Sequence, residues 1–406
     1  MKNGKENTLQ LLDSVKLTNL LSFGNEFRNL SLSKLNVLIG TNGSGKSNFI
    51  DAVELLRATS ADLQKVISRG GGVEEWMWKG SDNEFIFLSF TVFQRDANIL
   101  IDYQLALRED NLRIAIKSEV ISIRDGSFYG LKNQEVPIYW NHDSASKTGN
   151  IRYVINNKGN YNMSSSMKTS VERDSSVLSQ IRDPEKYPQL AFLTDSYKQI
   201  RIYREWSFGR NTIFRQPQRA DMRNDWLEED FSNLGLFISK LRRNPKSKKA
   251  ILNGLNSLYS GITDFDVIVE GGTVQIFFHE GDFSIPATRL SDGTLRYLAL
   301  LAILNDPTPP PLICIEEPEL GLHPDVLPKL ADLLKEASTR TQLIVTTHSD
   351  ILIDALSDTP ESVVVCEKHN GQTIMKRLEA DHLKDWLSEY RLGNLWLRGE
   401  LGGTRW

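Results

Sequence analysis

Leu35-Asn-Val-Leu-Ile-Gly40-Thr-Asn-Gly-Ser-Gly-Lys-Ser47 sets a short apolar run against a glycine-rich loop ending in Lys-Ser. The loop satisfies G-x-x-x-x-G-K-[ST], and it sits where that pattern has meaning, after a strand (Leu35 to Ile39) and before a helix expected over Asn48 to Thr59. Glycines let the backbone wrap closely round phosphates with N–H groups pointing inward. The start of the following helix adds its partial positive charge. Lys46 is placed to reach the β and γ phosphates, and Ser47 to ligate Mg²⁺. Such a match arises by chance in about one chain in a hundred of this length. The required context lowers that further, so a chance glycine-rich turn is the weaker reading. ATP with Mg²⁺ is the expected cofactor pair, and Asn42, Gly43, Ser44, Gly45, Lys46, Ser47 and Asn48 are the candidate contacts.

Three further segments gain meaning from that loop. Leu312-Ile-Cys-Ile-Glu-Glu317 is an apolar strand ending in two carboxylates. In a phosphate-loop fold the first acid, Glu316, holds the Mg²⁺ shell, and the second, Glu317, orients and polarises the attacking water. Leu290-Ser-Asp-Gly-Thr-Leu-Arg296 precedes an apolar helix leading to that strand. Ser291 reads in isolation as an ordinary N-cap. Its position some twenty residues before the acid pair favours an anion-binding role for Ser291 and Gly293. Leu343-Ile-Val-Thr-Thr-His348-Ser349 is another apolar strand, ending in a lone histidine. A lone His is most often structural. One at the end of the next strand shares the sheet edge with Glu317, and can hydrogen-bond the γ-phosphate or the attacking water.

Together these segments resemble the ABC ATPase superfamily, in its RecF-, SMC- and OLD-like branch. The order is that of Walker A (40–47), signature (290–296), Walker B (312–317) and switch histidine (His348). Val15 to Phe23 is similar to the first strand and turn of that branch, and Ile315-Glu-Glu-Pro-Glu-Leu-Gly-Leu-His-Pro324 to its extended Walker B and D-loop. The resemblance covers about 1–60 and 285–355. It implies an α/β fold: an ABC-type P-loop head with an antiparallel β subdomain and a helical insertion. It also implies two ATPs held between head-to-tail copies, with Ser291 and Gly293 acting in trans and Glu317 and His348 catalytic. A glutamine from the middle region is expected at the metal, and Gln180 is the candidate. The chain departs from the pattern in having Glu316 where the Walker B aspartate is usual, and Ser-Asp-Gly where the signature reads Ser-Gly-Gly.

The remainder of the sequence bounds these expectations. The chain has 406 residues, 40% hydrophobic and 25% charged, with a formal net charge of -4, so overall charge does not announce a nucleic-acid partner. Two cysteines, Cys314 and Cys366, lie in apolar runs and form no disulfide framework. The polar Met1 to Gln10 lacks a signal-peptide core, and no apolar run spans a bilayer. A cytoplasmic protein without a membrane role is expected. The pattern divides into a first lobe with β subdomain (1–184), a helical insertion (185–262) and a second lobe (263–406). Asn-, Ser- and Lys-rich 141–176 reads as a long loop or ragged hairpin, and Gly70 to Gly72 as a loop beside packing tryptophans. Lys46 and Ser291 lie 245 positions apart without heptads, so SMC-type coiled-coil arms are not expected.

Lys240, Arg242, Arg243, Lys246, Lys248 and Lys249 form a basic run. A solvated loop is the commoner meaning of such a run; contact with DNA phosphates is the alternative. Arg201, Arg204, Arg210, Arg215 and Arg219, among aromatics, add to the DNA reading. Two functions follow. One is an ATP-driven dimer acting with DNA in repair or anti-phage defence. The other is a regulatory ATPase scaffold controlling a separately encoded effector such as a nuclease. The 58 residues after His348 are too few for the TOPRIM nuclease of OLD-like relatives. A transporter ATPase fits poorly with the long middle region. Leu392 to Trp406 either docks a partner or packs back on the head.

Overall fold

The computed structural model describes residues 10–25, 27–80, 85–111, 113–125, 138–143, 148–151, 154–157, 160–163, 167–172, 174–207, 209–259 and 261–403. Two compact units interleave along the chain. The first comprises Met1–Ser33, Gly40–Ile200 and Val364–Arg377, the second Lys34–Ile39, Arg201–Val363 and Leu378–Trp406. The segment 185–262 contributes to both units: residues up to Ile200, with the helix Pro188–Lys198, lie in the first, and those from Arg201 in the second.

The first unit is built on an eight-stranded sheet whose described pairs are all antiparallel. Its centre is the meander Phe85–Gln94, Ile99–Asp110 and Arg113–Asp125, flanked by Leu12–Thr18. Alternation of buried and half-exposed residues along Phe85–Gln94 reflects one face on the core. Of the long loop or ragged hairpin expected over 141–176, it is the hairpin form that the described residues take: Thr148–Ile151 and Met167–Ser170 pair antiparallel and extend the sheet; parts of 141–176 lie outside the described residues. The helix Lys46–Ala58 buries Phe49, Ile50, Ala52, Val53, Leu55 and Leu56. Phe23 packs edge-on against both Phe27 and Phe49, with ring centroids 4.9 and 6.4 Å apart. Trp76 is buried, and Gly71 and Gly72 turn with positive φ, in line with a loop beside a packing tryptophan. The hairpin Val363–His369/Gln372–Arg377 closes on Asn370-Gly371, both with positive φ. That pair is the dipeptide a two-residue turn of matched twist demands.

The second unit centres on four parallel strands in the order Arg201–Tyr203, Leu312–Glu316, Gln342–Thr347, Leu35–Ile39. The three longer strands are buried almost throughout, as expected of a parallel sheet covered on both faces. Helices Asp292–Leu304 and Leu327–Ala337 connect or precede these strands. A small antiparallel sheet pairs Asp264–Glu270 with Thr273–Glu280, which also pairs with Gln218–Arg219 and Phe283–Pro286. In this unit the middle region forms the helices Leu234–Arg242 and Pro245–Leu258, the second starting from an Asn244 cap. The C-terminal segment packs back: Leu392, Leu395 and Trp396 are buried, and the Asn394 N–H donates to Asp354. Among the described residues no helix is long and apolar enough to cross a membrane.

Candidate functional site

In the first unit the loop Gly40–Ser47, the candidate phosphate site, is braced by its surroundings. Gly45 starts the helix Lys46–Ala58 with φ 100°, and no side chain caps that helix or places an acid in its first turn. Helices starting at Leu63, Val177, Pro245, Asp292 and Asp350 are capped by Asp, Ser or Asn, whereas those starting at Val73, Pro188, Leu234, Leu327, Ala380 and Leu392 share the lack of a side-chain cap. The bare first-turn N–H groups at Gly45–Lys46 are a ready anion site. Lys46 is buried, and its Nζ donates to the carbonyls of Gly40 (2.9 Å) and Thr41 (3.0 Å). The lysine is thereby laid along the loop it would close over a phosphate. Ser44 Oγ is buried with no hydrogen-bond partner, whereas Ser47 is exposed at the first turn and Asn42 and Gly43 face outward.

The loop is braced from distant sequence. Thr373 Oγ1 donates to the Ser44 carbonyl (2.9 Å) and hydrogen-bonds Ser22 Oγ (2.7 Å), and Asn48 donates to the same Ser22 (2.7 Å). A side chain at Gly45 would meet Thr373 Oγ1 at 2.1 Å, which fixes glycine there. Ser22 and Thr373 carry no local sequence signal. Cys366 closes the same region. Its carbonyl would lie 2.2 Å from a Cβ at Gly40, and burial pushes its thiol up to about 12 against the opposing charge of Lys46.

In the second unit the register brings the catalytic candidates to one edge. Glu316 pairs with Thr346, and Thr347 with Ile39, whose next residue is Gly40. Glu317 and His348 therefore follow adjacent strand ends, as the sequence pattern expects, and Glu317 Oε1 lies 3.5 Å from His348 Nε2. Glu317 adopts φ 44°, left-handed backbone that is unusual for a residue with a side chain. Its N–H donates to the Thr346 carbonyl (3.0 Å), and its carbonyl accepts from Arg296 Nη2.

Arg296, the last residue of the signature stretch, is fully buried, with its guanidinium 4.1 Å from the Trp206 ring. Burial pushes it down to about 10, against the attraction of Glu319 and Glu317. Trp206 stacks in turn on Phe231 (5.1 Å) and donates from Nε1 to the Glu316 carbonyl (2.9 Å). Glu319 accepts from the His348 N–H (2.8 Å) and Thr347 Oγ1 (2.7 Å). Burial raises its carboxyl above the ordinary glutamate value, which those hydrogen bonds oppose. Thus the peptides at Glu316, Glu317 and His348 are held by the side chains of Trp206, Arg296 and Glu319.

Ser291 caps the helix Asp292–Leu304, accepting from the Thr294 N–H (3.1 Å), and is itself exposed. A Cβ at Gly293 would meet the Gly321 carbonyl at 2.6 Å, so close packing alone calls for glycine there. The departure at Asp292 has a partner. Arg215 Nη2 lies 2.6 Å from Asp292 Oδ1, the Gly209 N–H donates to Oδ2, and Arg215 holds the carboxyl below its usual value.

Several arginines assigned to a DNA surface are engaged within this unit. Arg204 pairs with Glu316 (3.7 Å), Arg215 with Asp292, Arg219 with Asp221, and Arg201 stacks on Trp226. In the basic run, Arg242 pairs with Asp266, Lys248 with Asp264 and Lys240 with Asp306, while Arg243, Lys246 and Lys249 are exposed. Gln180 belongs to the first unit. Its Oε1 accepts the Glu172 N–H (2.9 Å) and its Nε2 donates to the Ser175 carbonyl (2.6 Å), tying a local turn.

The residues present fit the cofactors implied. An uncapped helix start with a buried lysine suits a polyphosphate. Glu316 offers the carboxylate oxygens that a hard divalent cation takes, and Arg204, 3.7 Å away, is the cation beside them in this structure. A family model described as "AAA domain, putative AbiEii toxin, Type IV TA system" matches residues 35–156 and 164–354. The chain belongs to this AAA family. Among solved structures, this AAA protein is similar to an Smc head bound to the C-terminal winged-helix domain of ScpA. The TM-score is 0.56 at 15% identity, over 92% of this chain and 99% of that one. It is similar also to an Smc head with an extended coiled coil, from Pyrococcus furiosus, bound to the C-terminal domain of ScpA. Here the TM-score is 0.56 at 14% identity, over 93% and 99%. The AAA chain thus has the ABC-type fold of SMC heads. No curated protein matches it.

Proposed function

We propose that this AAA protein binds ATP with Mg²⁺ and hydrolyses it, acting as a nucleotide-dependent switch. What supports this is found in each unit separately: in the first, an uncapped, lysine-bearing helix start, and in the second, a parallel-sheet edge whose consecutive ends are Glu316-Glu317 and Thr347-His348. Lys46 leaves the Gly40 and Thr41 carbonyls for the phosphates, and Ser47 and Glu316 hold the metal. The metal, when bound, neutralises the phosphate charge. Glu317 takes the proton of the attacking water, with His348 beside it. Ser291 and Gly293 act on the nucleotide of a second copy, which makes ATP the glue of a homodimer. Its place is the cytoplasm. The test is equilibrium binding of a fluorescent ATP analogue. Wild type binds, and Lys46→Ala loses at least tenfold in affinity at unchanged folding; equal affinity of the two overturns the reading.

For output, we favour control of a separately encoded effector over direct action on DNA. Three of the six basic residues in 240–249 are paired with aspartates of the same unit, which leaves a small phosphate-binding footprint. The family's description as a toxin of a two-part system points the same way. Salt-sensitive DNA binding that is lost on charge reversal of Arg243, Lys246 and Lys249 would restore the first alternative.

A further inference from the structure

Arg204 follows the edge strand Arg201–Tyr203, whose Tyr203 pairs with Ile315. Arg204 and Glu316 are therefore neighbours on adjacent parallel strands. The Nη2 of Arg204 lies 3.7 Å from Glu316 Oε1, with the two side chains 28% and 18% exposed. Two residues on, Trp206 holds the Glu316 carbonyl through its Nε1 at 2.9 Å. The short segment 204–206 thus grips Glu316 at both its charge and its backbone. Its far end is tied down as well, by Arg215 and the Gly209 N–H on Asp292.

A charge so close to the carboxylate assigned to the metal has a consequence. Mg²⁺ bound at Glu316 brings two positive charges to within a few ångströms of the guanidinium, in a partly desolvated site where repulsion is weakly screened. A nucleotide bound with that metal would bring phosphate oxygens whose charge the metal and nearby cations would share. For a guanidinium displaced from Glu316, phosphate oxygens are the partners to which its planar fork is matched.

We propose that Arg204 is a catalytic residue that rests on Glu316 without nucleotide, and transfers to the nucleotide's terminal phosphate oxygens when Mg²⁺ takes its place. This rests on the ATP reading above. The exchange makes the resting site self-neutralised, and delivers a positive charge to the phosphoryl group only when metal and nucleotide are both present. Arg204 thereby distinguishes ATP from ADP.

The experiment compares full-length wild type, Arg204→Gln and Arg204→Lys. Mn²⁺ binding without nucleotide is read from the electron paramagnetic resonance signal of free Mn²⁺. Affinities for ATPγS and ADP, and steady-state phosphate release, are measured alongside. Arg204→Gln is expected to bind Mn²⁺ alone severalfold more tightly, because a competing cation is gone. It loses most of its preference for ATPγS over ADP and about a hundredfold in kcat. Arg204→Lys, which keeps the charge, retains the weak Mn²⁺ affinity of wild type. A purely structural role would lower the unfolding temperature and activity with Mn²⁺ affinity and nucleotide preference unchanged, and that result overturns the proposal. Failure of wild type itself to bind ATPγS would instead overturn the ATP reading.

Discussion

Replacing Arg296 by Met separates folding from catalysis in this protein. The guanidinium donates to the Glu317 carbonyl and lies over Trp206. A charge-assisted hydrogen bond contributes about 2 kcal/mol, and a buried cation–π contact about 1–2. Against this, burial pushes Arg296 down to about 10, which corresponds to roughly 3 kcal/mol of desolvation. The two sides nearly cancel, so Met at this position changes overall stability by no more than about 2 kcal/mol. Glu317 is affected differently. Its φ of 44° costs about 1–2 kcal/mol for a residue with a Cβ, and Arg296 is one of the groups that impose it. Without that donor the peptide relaxes and the carboxylate shifts; a displacement of about 1 Å costs on the order of a hundredfold in rate. The expected outcome is a kcat lowered by about ten- to a hundredfold. KM for ATP stays within about twofold, and the apparent Tm moves by a few degrees. Phosphate release and thermal unfolding measure these. An unchanged kcat, or a raised KM at wild-type kcat, would refute the positioning argument.

Other consequences can be checked in parallel. Gly45→Ala puts a Cβ 2.1 Å from Thr373 Oγ1 and 2.7 Å from Ser22 Oγ, on backbone with φ 100°; binding of an ATP analogue should disappear, with about 2 kcal/mol or more of stability lost. Asp292→Asn removes the partner of Arg215 at a half-exposed site and should cost less than about 1 kcal/mol at pH 7. Because Arg215 lowers the folded-state carboxyl, the wild-type advantage is complete above the unfolded value of about 3.9. It fades as pH falls through the folded value. The difference in denaturant midpoint between the two proteins should therefore be largest near pH 7 and shrink as the pH is taken down to 3 and below.

What the sequence made legible was local. The loop, the apolar strands and their polar ends announce themselves through spacing: Ile39 leads into glycine, Cys314-Ile315 into two acids, and Thr347 into histidine. Parallel pairing then follows from hydrophobic runs alternating with helices. The braces were not legible, because they join residues far apart in the chain. Thr373 reaches Ser44 across 329 positions, and no pattern near either residue marks the contact. Arg204 and Arg215 read as a basic surface since charge alone says nothing of a partner. The structure gives both to carboxylates beside the motifs. The interleaving of the two units has the same origin: Lys34–Ile39 joins strands some three hundred residues away. Glu319 and Arg296 lay within motifs already singled out, and what hid their roles was burial, which a motif does not encode.

Glu317→Gln tests the central claim most directly. Purified wild type and variant are compared for phosphate release and for mass by light scattering, each with ATP and Mg²⁺. The variant keeps the shape and hydrogen bonds of the side chain but cannot take a proton. It should bind ATP as wild type does, lose at least a hundredfold in hydrolysis, and accumulate as a nucleotide-bound dimer. Hydrolysis at the wild-type rate by Glu317→Gln would contradict the assignment of Glu317 as the catalytic carboxylate. A monomer unaffected by ATP would contradict the action of Ser291 and Gly293 on a second copy.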